Sequence, residues 1–256
     1  MNLTTIRYVI LTALRDFLFV GILGALIASV FLSHFLASTV MLEKQQMLSS
    51  FTTGSARVVL VVGMIVFICF HIRRAFENRE IDLMLSRPIS RASFIFSYWL
   101  GFSIVALLMV SALAFYMICF FEYDYTGLSI WVSSMVLELF IIVAFALFTS
   151  VILKSSVSSV LLCFGFYILS RMIGFFHYVL EKAVTYTYEY FEFYAQKIIW
   201  LVSFLMPRLD LFAQSKWLVY GVDFSADNLI FPVIQTLIYV PLLLCLAIVD
   251  FSRKQF

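Results

Sequence analysis

The sequence predicts an all-α integral membrane protein: six transmembrane helices, an N-terminal interfacial helix, a short cytoplasmic helix between spans two and three, and a helical outer segment between spans five and six. Three observations carry this expectation. The chain is 64% hydrophobic and only 12% charged. Its few charges leave long gaps, with no Asp, Glu, Lys or Arg over 26 residues at 17–42, 30 at 92–121 and 22 at 228–249. And five arginines gather between Arg73 and Arg91. About 20 apolar helical residues cross a hydrocarbon core of roughly 30 Å, so each long gap is sufficient for one crossing. Lipid offers nothing to bond an open backbone, and the runs lack the two-residue alternation of barrel strands, so the spans are expected as helices.

Taken in order, residues 3–14 read as an amphipathic helix. Ile6, Val9, Ile10 and Leu14 recur at helical spacing, Arg7 and Arg15 flank them, and Thr4 or Thr5 is available as a cap. Such a helix lies in the headgroup layer; an early start of span one is the plainer alternative. Span one, about 17–40, is too long for a secretory leader and lacks a small-residue cleavage site, so it is expected to be retained. Span two is expected at about 57–72, span three at 93–120, span four at 129–153 with Glu138 inside it, span five at 156–177 and span six at 229–249. The whole, 1–256, forms one transmembrane domain. Between spans two and three, residues 73–85 suit a helix with Ile81, Met84 and Leu85 on one side. Pro88 ends it, because its ring and missing N–H forbid continuation, and Ser90 caps the next helix. The outer segment, 178–227, is rich in Tyr and Phe from Tyr186 to Tyr194, which suits an interface. Its apolar stretch 198–206, broken by Pro207, is too short to cross and fits a re-entrant or surface helix, or a simple outer cap. In span six Pro241 deprives the Leu237 carbonyl of its usual donor, which predicts a kink and makes Pro241 a candidate hinge.

Basic residues set the orientation. With the N-terminus inside, ten Lys and Arg fall in the inner connections and tails, whereas the short outer connections hold only Lys44 and Arg57. That bias places both termini in the cytoplasm; the five basic residues at 171–228 count little because long connections do. Net charge of +2 gives no reason to invoke nucleic acid.

Catalytic apparatus is missing from the sequence. Cys69, Cys119, Cys163 and Cys245 fall inside expected spans without metal-site spacing and read as small core residues. His34, His71 and His177 stand near span ends, where water or headgroups satisfy them more readily than a metal does. Neither a Gly-x-x-x-x-Gly-Lys phosphate cradle nor a His-Glu-x-x-His pair occurs. Glu138 is the exception to the apolar interior. A charge at that depth costs about 2.5–3.5 kcal/mol on insertion scales, so it is expected to be protonated, paired or facing a polar cavity. Used as a relay, it would make the chain a proton-coupled secondary carrier. Bonded to a neighbouring helix it is structural.

The segment 77–100, with its acidic start, the Leu83-Met84-Leu85-Ser86-Arg87-Pro88-Ile89-Ser90-Arg91 core and the run into a long apolar helix, resembles the cytoplasmic coupling region of type-2 ABC exporter permeases. Met206-Pro207-Arg208-Leu209-Asp210-Leu211-Phe212, followed by Trp217 and Tyr220-Gly221, is similar to a pattern that some of these permeases carry before their last span. The layout of helices agrees with the family as well, although Ser97-Tyr98 stands where the family often has Gly-Lys. The resemblance implies a permease subunit of an ATP-driven exporter in a bacterial inner membrane, itself no enzyme. It would pair with a second permease subunit, identical or not, and dock two ATP-binding subunits that hold ATP and Mg, leaving no cofactor in this chain. Glu77, Glu80, Leu83, Leu85, Arg87, Pro88 and Arg91 would be the docking residues of the coupling helix. The scarcity of charge in the spans leans the cargo toward a lipidic or apolar molecule.

Overall fold

A segment surrounded by hydrocarbon has to satisfy its peptide groups within itself, and the fold follows that rule almost throughout. The computed structural model describes residues 3–39, 44–81, 90–120, 125–183, 197, 201, 206–219 and 227–253. Among them there is no strand, and six helices are long and apolar enough to cross a membrane. These are α2 (Phe17–Ser38), α3 (Lys44–Glu77), α4 (Arg91–Phe120), α5 (Tyr125–Ile152), α6 (Ser156–Ala183) and α8 (Asp227–Arg253). Helix α1 (Leu3–Arg15) precedes them, and the four-residue α7 (Lys216–Val219) lies between α6 and α8.

Helix α5 is the hub. It packs against α3, α4, α6 and α8, and 67% of its most apolar stretch is buried, against 22% for α2, which leans on α3 at the periphery. Trp131, Met135, Leu139 and Leu147 of α5 are enclosed in the one large apolar cluster. Short connections between α2 and α3, α4 and α5, and α5 and α6 reverse the chain each time, so the start of α2, the end of α3, the start of α4 and the end of α8 share one end of the bundle. We call it the terminal end.

Span two departs most from expectation. Instead of 57–72, α3 runs 34 residues, roughly 51 Å. Its first third, Gln45 to Ser55, is polar in composition and reads as loop. In the structure Ser49, Thr52 and Thr53 point inward, and hydroxyls turn back on the helix: Ser49 Oγ donates to the Gln46 carbonyl at 2.8 Å and Thr53 Oγ1 to that of Ser49 at 2.8 Å. Satisfied in this way, Ser49 and Thr53 are compatible with a buried helix, whereas the buried Thr52 hydroxyl has no such bond.

The helix expected over 73–85 is described only in part, and Glu80 and Ile81 are again helical after a break. Residues 73–77 are the last turn of α3, which ends in a turn at Asn78 and Arg79, where Arg79 takes φ 55°. Residues 82–89 lie outside the described part, and with them Leu83, Leu85, Arg87 and Pro88. Ser90 does cap α4: its Oγ accepts from the Ser93 N–H at 3.2 Å. Helix α8 continues through both Pro232 and Pro241.

Helix α1 exists, but its buried face is Thr5, Ile6, Val9 and Ala13, while Leu14 is left exposed and Ile10 only half covered. The reason is Gly101. A methyl added there would stand 2.8 Å from Val9 Cγ1, so the missing side chain on α4 is what admits α1. Gly101→Leu is expected to lever α1 off α4 at a cost of about 1–3 kcal/mol, read as a lowered unfolding temperature of the purified protein. Gly21→Ala, with nothing within 4 Å of the added methyl, should leave that temperature equal or higher.

Candidate functional site

At the terminal end, three of the sequence-predicted docking residues are described, and each is engaged within the chain. Glu77 pairs with Arg73 one turn earlier, Nε to Oε1 at 2.8 Å, and is more than half exposed. Glu80 accepts a 2.6 Å hydrogen bond from the Tyr8 hydroxyl of α1 and a 3.2 Å bond from Asn78 Nδ2. Partial burial, then the Glu80 carboxylate, hold the Tyr8 phenol above its ordinary pKa, so it stays a proton donor to Glu80 throughout the neutral range. Arg91 Nη1 donates to the carbonyls of Phe251 and Ser252 at 2.8 and 2.9 Å, with its guanidinium over the Phe251 ring. Phe251 in turn stacks on Phe94. The charged segment between α3 and α4 is therefore tied at one flank to the first helix and at the other to the last.

Asp16 completes this end. It caps α2 by accepting from the Leu18 N–H at 3.0 Å, which is the favourable place for an anion. It also holds Arg74 of α3 at 3.1 Å, with His71 Nδ1 3.9 Å away.

The second constellation lies deeper. The stretch 198–205, where a re-entrant or surface helix is expected, lies outside the described residues apart from Leu201, and residues 206–219 are not one continuous helix. They fold into the bundle as a 3-10 turn, Leu209–Leu211, and the short α7 joined by irregular backbone. Gly127 of α5 makes room for them, since the Trp217 carbonyl stands where its side chain would be, and Gly174 of α6 does so for the Asp210 carboxylate. Ser134, which bonds this loop, is seven residues below Gly127, so the loop reaches about 10 Å along α5.

Non-helical backbone at that depth needs partners, and side chains supply them. Arg57 of α3 donates from Nη1 to the Ala213 carbonyl at 2.7 Å, and Trp131 Nε1 donates to the same oxygen at 3.2 Å. Ser134 Oγ accepts from the Ala213 N–H at 3.0 Å. Arg171 of α6 donates from Nη1 to the carbonyls of Leu209 and Phe212. Gln235 of α8 accepts from the Arg208 N–H at 3.0 Å, and Arg208 pairs with Asp210 at 3.1 Å. Ala213 itself has φ 44°, a left-handed conformation that a side chain disfavours, held in place by this set of bonds.

Glu138 sits beneath the loop with no exposure at all, its Oε1 3.6 Å from Arg171 Nη1 and with Arg57 and Tyr167 alongside. The sequence singled out Glu138 but missed both arginines as its partners, counting them with the outer connections although they stand at the edges of the spans expected at 57–72 and 156–177. Their signal was present: an isolated acid inside a span needs an opposite charge, and Arg171 interrupts an otherwise apolar run one helix further on.

Other candidates fall away. Cys69 and Cys163 are buried, but Cys119 and Cys245 face outward, contrary to a uniform core role. His71 is buried beside Asp16 rather than solvated, and His34 bonds Tyr116 at 2.8 Å. No group of metal-ligating side chains occurs among the described residues. The aromatic run from Tyr186 to Tyr194 lies outside the described part. No protein-family model matches the chain, and no curated protein matches it.

Removing one partner of a buried pair strands the other charge. Glu138→Ala is expected to cost about 3–5 kcal/mol in thermal unfolding measured in detergent, Glu138→Gln clearly less, and Glu138→Ala with Arg171→Met to recover part of the loss. Equal melting of all three would show that the pair holds nothing.

Proposed function

We propose that this chain is the permease subunit of a type-2 ATP-driven exporter in a bacterial inner membrane, with both termini cytoplasmic. The observation that carries the reading is the wiring of the 77–91 segment: Glu80 to Tyr8 of α1 on one side, Arg91 to the end of α8 on the other. A helix-linking segment of this charge that is fastened to the first and last helices passes a push from a soluble partner into the bundle, which is the task of a coupling helix. The charges of Asp82 and Arg87 and the resemblance of 77–100 support the same reading, as does the packing of α1 along α4, consistent with an interfacial position. In this reading the chain hydrolyses nothing itself. ATP and Mg reside on two ATP-binding subunits, a second permease subunit completes the pathway, and the cargo is lipidic or apolar.

Glu77, Leu83, Leu85, Arg87 and Pro88 are the residues proposed to meet the partner. Glu80 and Arg91 take the role of fastenings, because their charged ends are already engaged within the chain. The buried Glu138 with Arg171 beside it favours a structural ion pair over a proton relay, which leaves the carrier alternative without a specific observation in its support.

Affinity purification from native membranes tests the proposal. An ATP-binding protein should accompany the chain and be lost with Arg87→Glu. Glu80→Gln should keep the partner bound but lower transport per ATP hydrolysed several-fold. A fully active chain that purifies alone, or a cysteine at Ser86 labelled by an impermeant thiol reagent from outside intact cells, would overturn it.

A further inference from the structure

Helix α1 carries two stripes that its contact with α4 leaves uncovered. Leu3, Ile10 and Leu14, seven and four residues apart, form an apolar stripe on the side away from Tyr8, with Leu3 76% and Leu14 42% exposed. Arg7, Leu11 and Arg15, at intervals of four, form a second stripe opposite the buried Val9, and all three are exposed. Neither arginine enters an ion pair among the described residues. No acid on the packed elements opposes them: α1, α2 and α4 contain none, Asp16 holds Arg74, and Glu80 accepts from Tyr8. The level of α1 follows from its contact at Gly101. Beyond that point residues 102–120 of α4 carry no charge and rise about 28 Å, while α2, which begins where α1 ends, rises about 33 Å. Both match a hydrocarbon core of roughly 30 Å, so α1 lies at the boundary of that core on the terminal side.

We infer that the Arg7–Leu11–Arg15 stripe binds the headgroups of anionic phospholipids at the terminal-end surface of the bilayer. The other sides of α1 fix the direction in which this stripe points. Val9 faces α4, and Tyr8 reaches Glu80, which follows the last turn of α3 about 9 Å past the level where His71 meets Asp16. Tyr8 therefore marks the side away from the hydrocarbon, and the Leu3, Ile10 and Leu14 stripe the side toward it. The arginine stripe is left facing sideways, at headgroup depth. There the guanidinium fork bonds a phosphate through paired N–H groups, while the arginine stems and Leu11 rest against acyl carbon. A zwitterionic headgroup brings its own cation, so two unopposed positive charges select lipids with net negative charge. A second copy of the chain is a poor occupant, because a two-fold contact sets the stripe against itself, arginine facing arginine. This inference rests on the six-span placement and not on coupling to ATP.

The full chain with photoreactive p-benzoylphenylalanine in place of Leu11 provides the test. It is reconstituted in vesicles of equal parts phosphatidylcholine and phosphatidylglycerol, so that both faces offer the same lipids whichever way the chain inserts. After illumination, peptide mass spectrometry of the adducts at position 11 gives the ratio of the two lipids. Phosphatidylglycerol should exceed phosphatidylcholine several-fold. The same label in place of Ile27, an exposed position midway along α2, should give a ratio near one. Arg7→Gln with Arg15→Gln should bring the ratio at position 11 close to one; either single variant, with a smaller fall, serves if the double variant does not fold. A ratio near one in the parent chain, an equal excess at position 27, or an excess that survives loss of the arginines overturns the inference. So do adducts at position 11 to a second copy of the chain in place of lipid.

Discussion

An irregular stretch of backbone inside a membrane bundle can exist only if something other than backbone satisfies it, and that requirement organises the far half of this protein. The loop at 206–219 leaves helical geometry beside α5, and side chains rather than a helix satisfy its carbonyls at Phe212 and Ala213 and add to the turn bond at Leu209. Only long side chains on neighbouring helices can bring donors to several carbonyls at once, and arginine, with five N–H groups in a rigid fork, is the residue suited to it. Two arginines at that depth then need a counter-charge, which is Glu138. One departure from helix thus explains two cations, an acid and two helix glycines, Gly127 and Gly174, that otherwise look unrelated.

The terminal end answers a different demand. There the chain has a charged segment to hold, and it does so with single strong bonds at its flanks rather than with a buried network. Asp16, Glu80 and Arg91 each join elements far apart in sequence, and each bond carries a charge on at least one side, which makes it stronger than a neutral hydrogen bond. Helix α3 connects the two regions. Arg57 bonds the loop and Arg74 bonds Asp16, separated by 17 residues of unbroken helix, about 25 Å. In the proposed exporter, a displacement at the ATPase-facing end reaches the loop through this one rigid rod.

Most of the architecture was legible because hydropathy over 20 residues is a strong signal: all six crossing helices are where the apolar runs put them, and Ser90 caps α4 as its position suggests. What the sequence concealed has a common cause. Ser49 and Thr53 look like loop because their polarity is visible and their back-bonding to the helix is not. Arg57 and Arg171 look like connection charges because a run-length reading places charges outside spans by construction. The α1 face was misjudged for a related reason: the apolar spacing of Ile6, Val9, Ile10 and Leu14 is real, but the residue that selects among them is Gly101, almost a hundred positions away. Glu138 was found because it violates the pattern, and its partners were missed because the pattern had already accounted for them.

Helix α2 shows what these attachments leave free. It buries least of the six spans and touches the rest mainly through α3, where Ile22 fills the space that a side chain on Gly63 would take. One end is fixed by the Asp16 cap with its Arg74 partner, the other by the His34–Tyr116 bond. Between these points its exposed side, including Val20, Ile27, Phe31 and Phe35, has only hydrocarbon as a match. Lipid is as apolar as these side chains, so hydrophobic burial gives little reason for α2 to close against α4; packing and hydrogen bonds decide. With two side-chain bonds toward the far end, His34 to Tyr116 and Ser33 to Ser55, and none of the loop's buried network among the described residues, α2 is held less than the other spans. In the proposed exporter, an opening of the bundle toward the bilayer would begin along it.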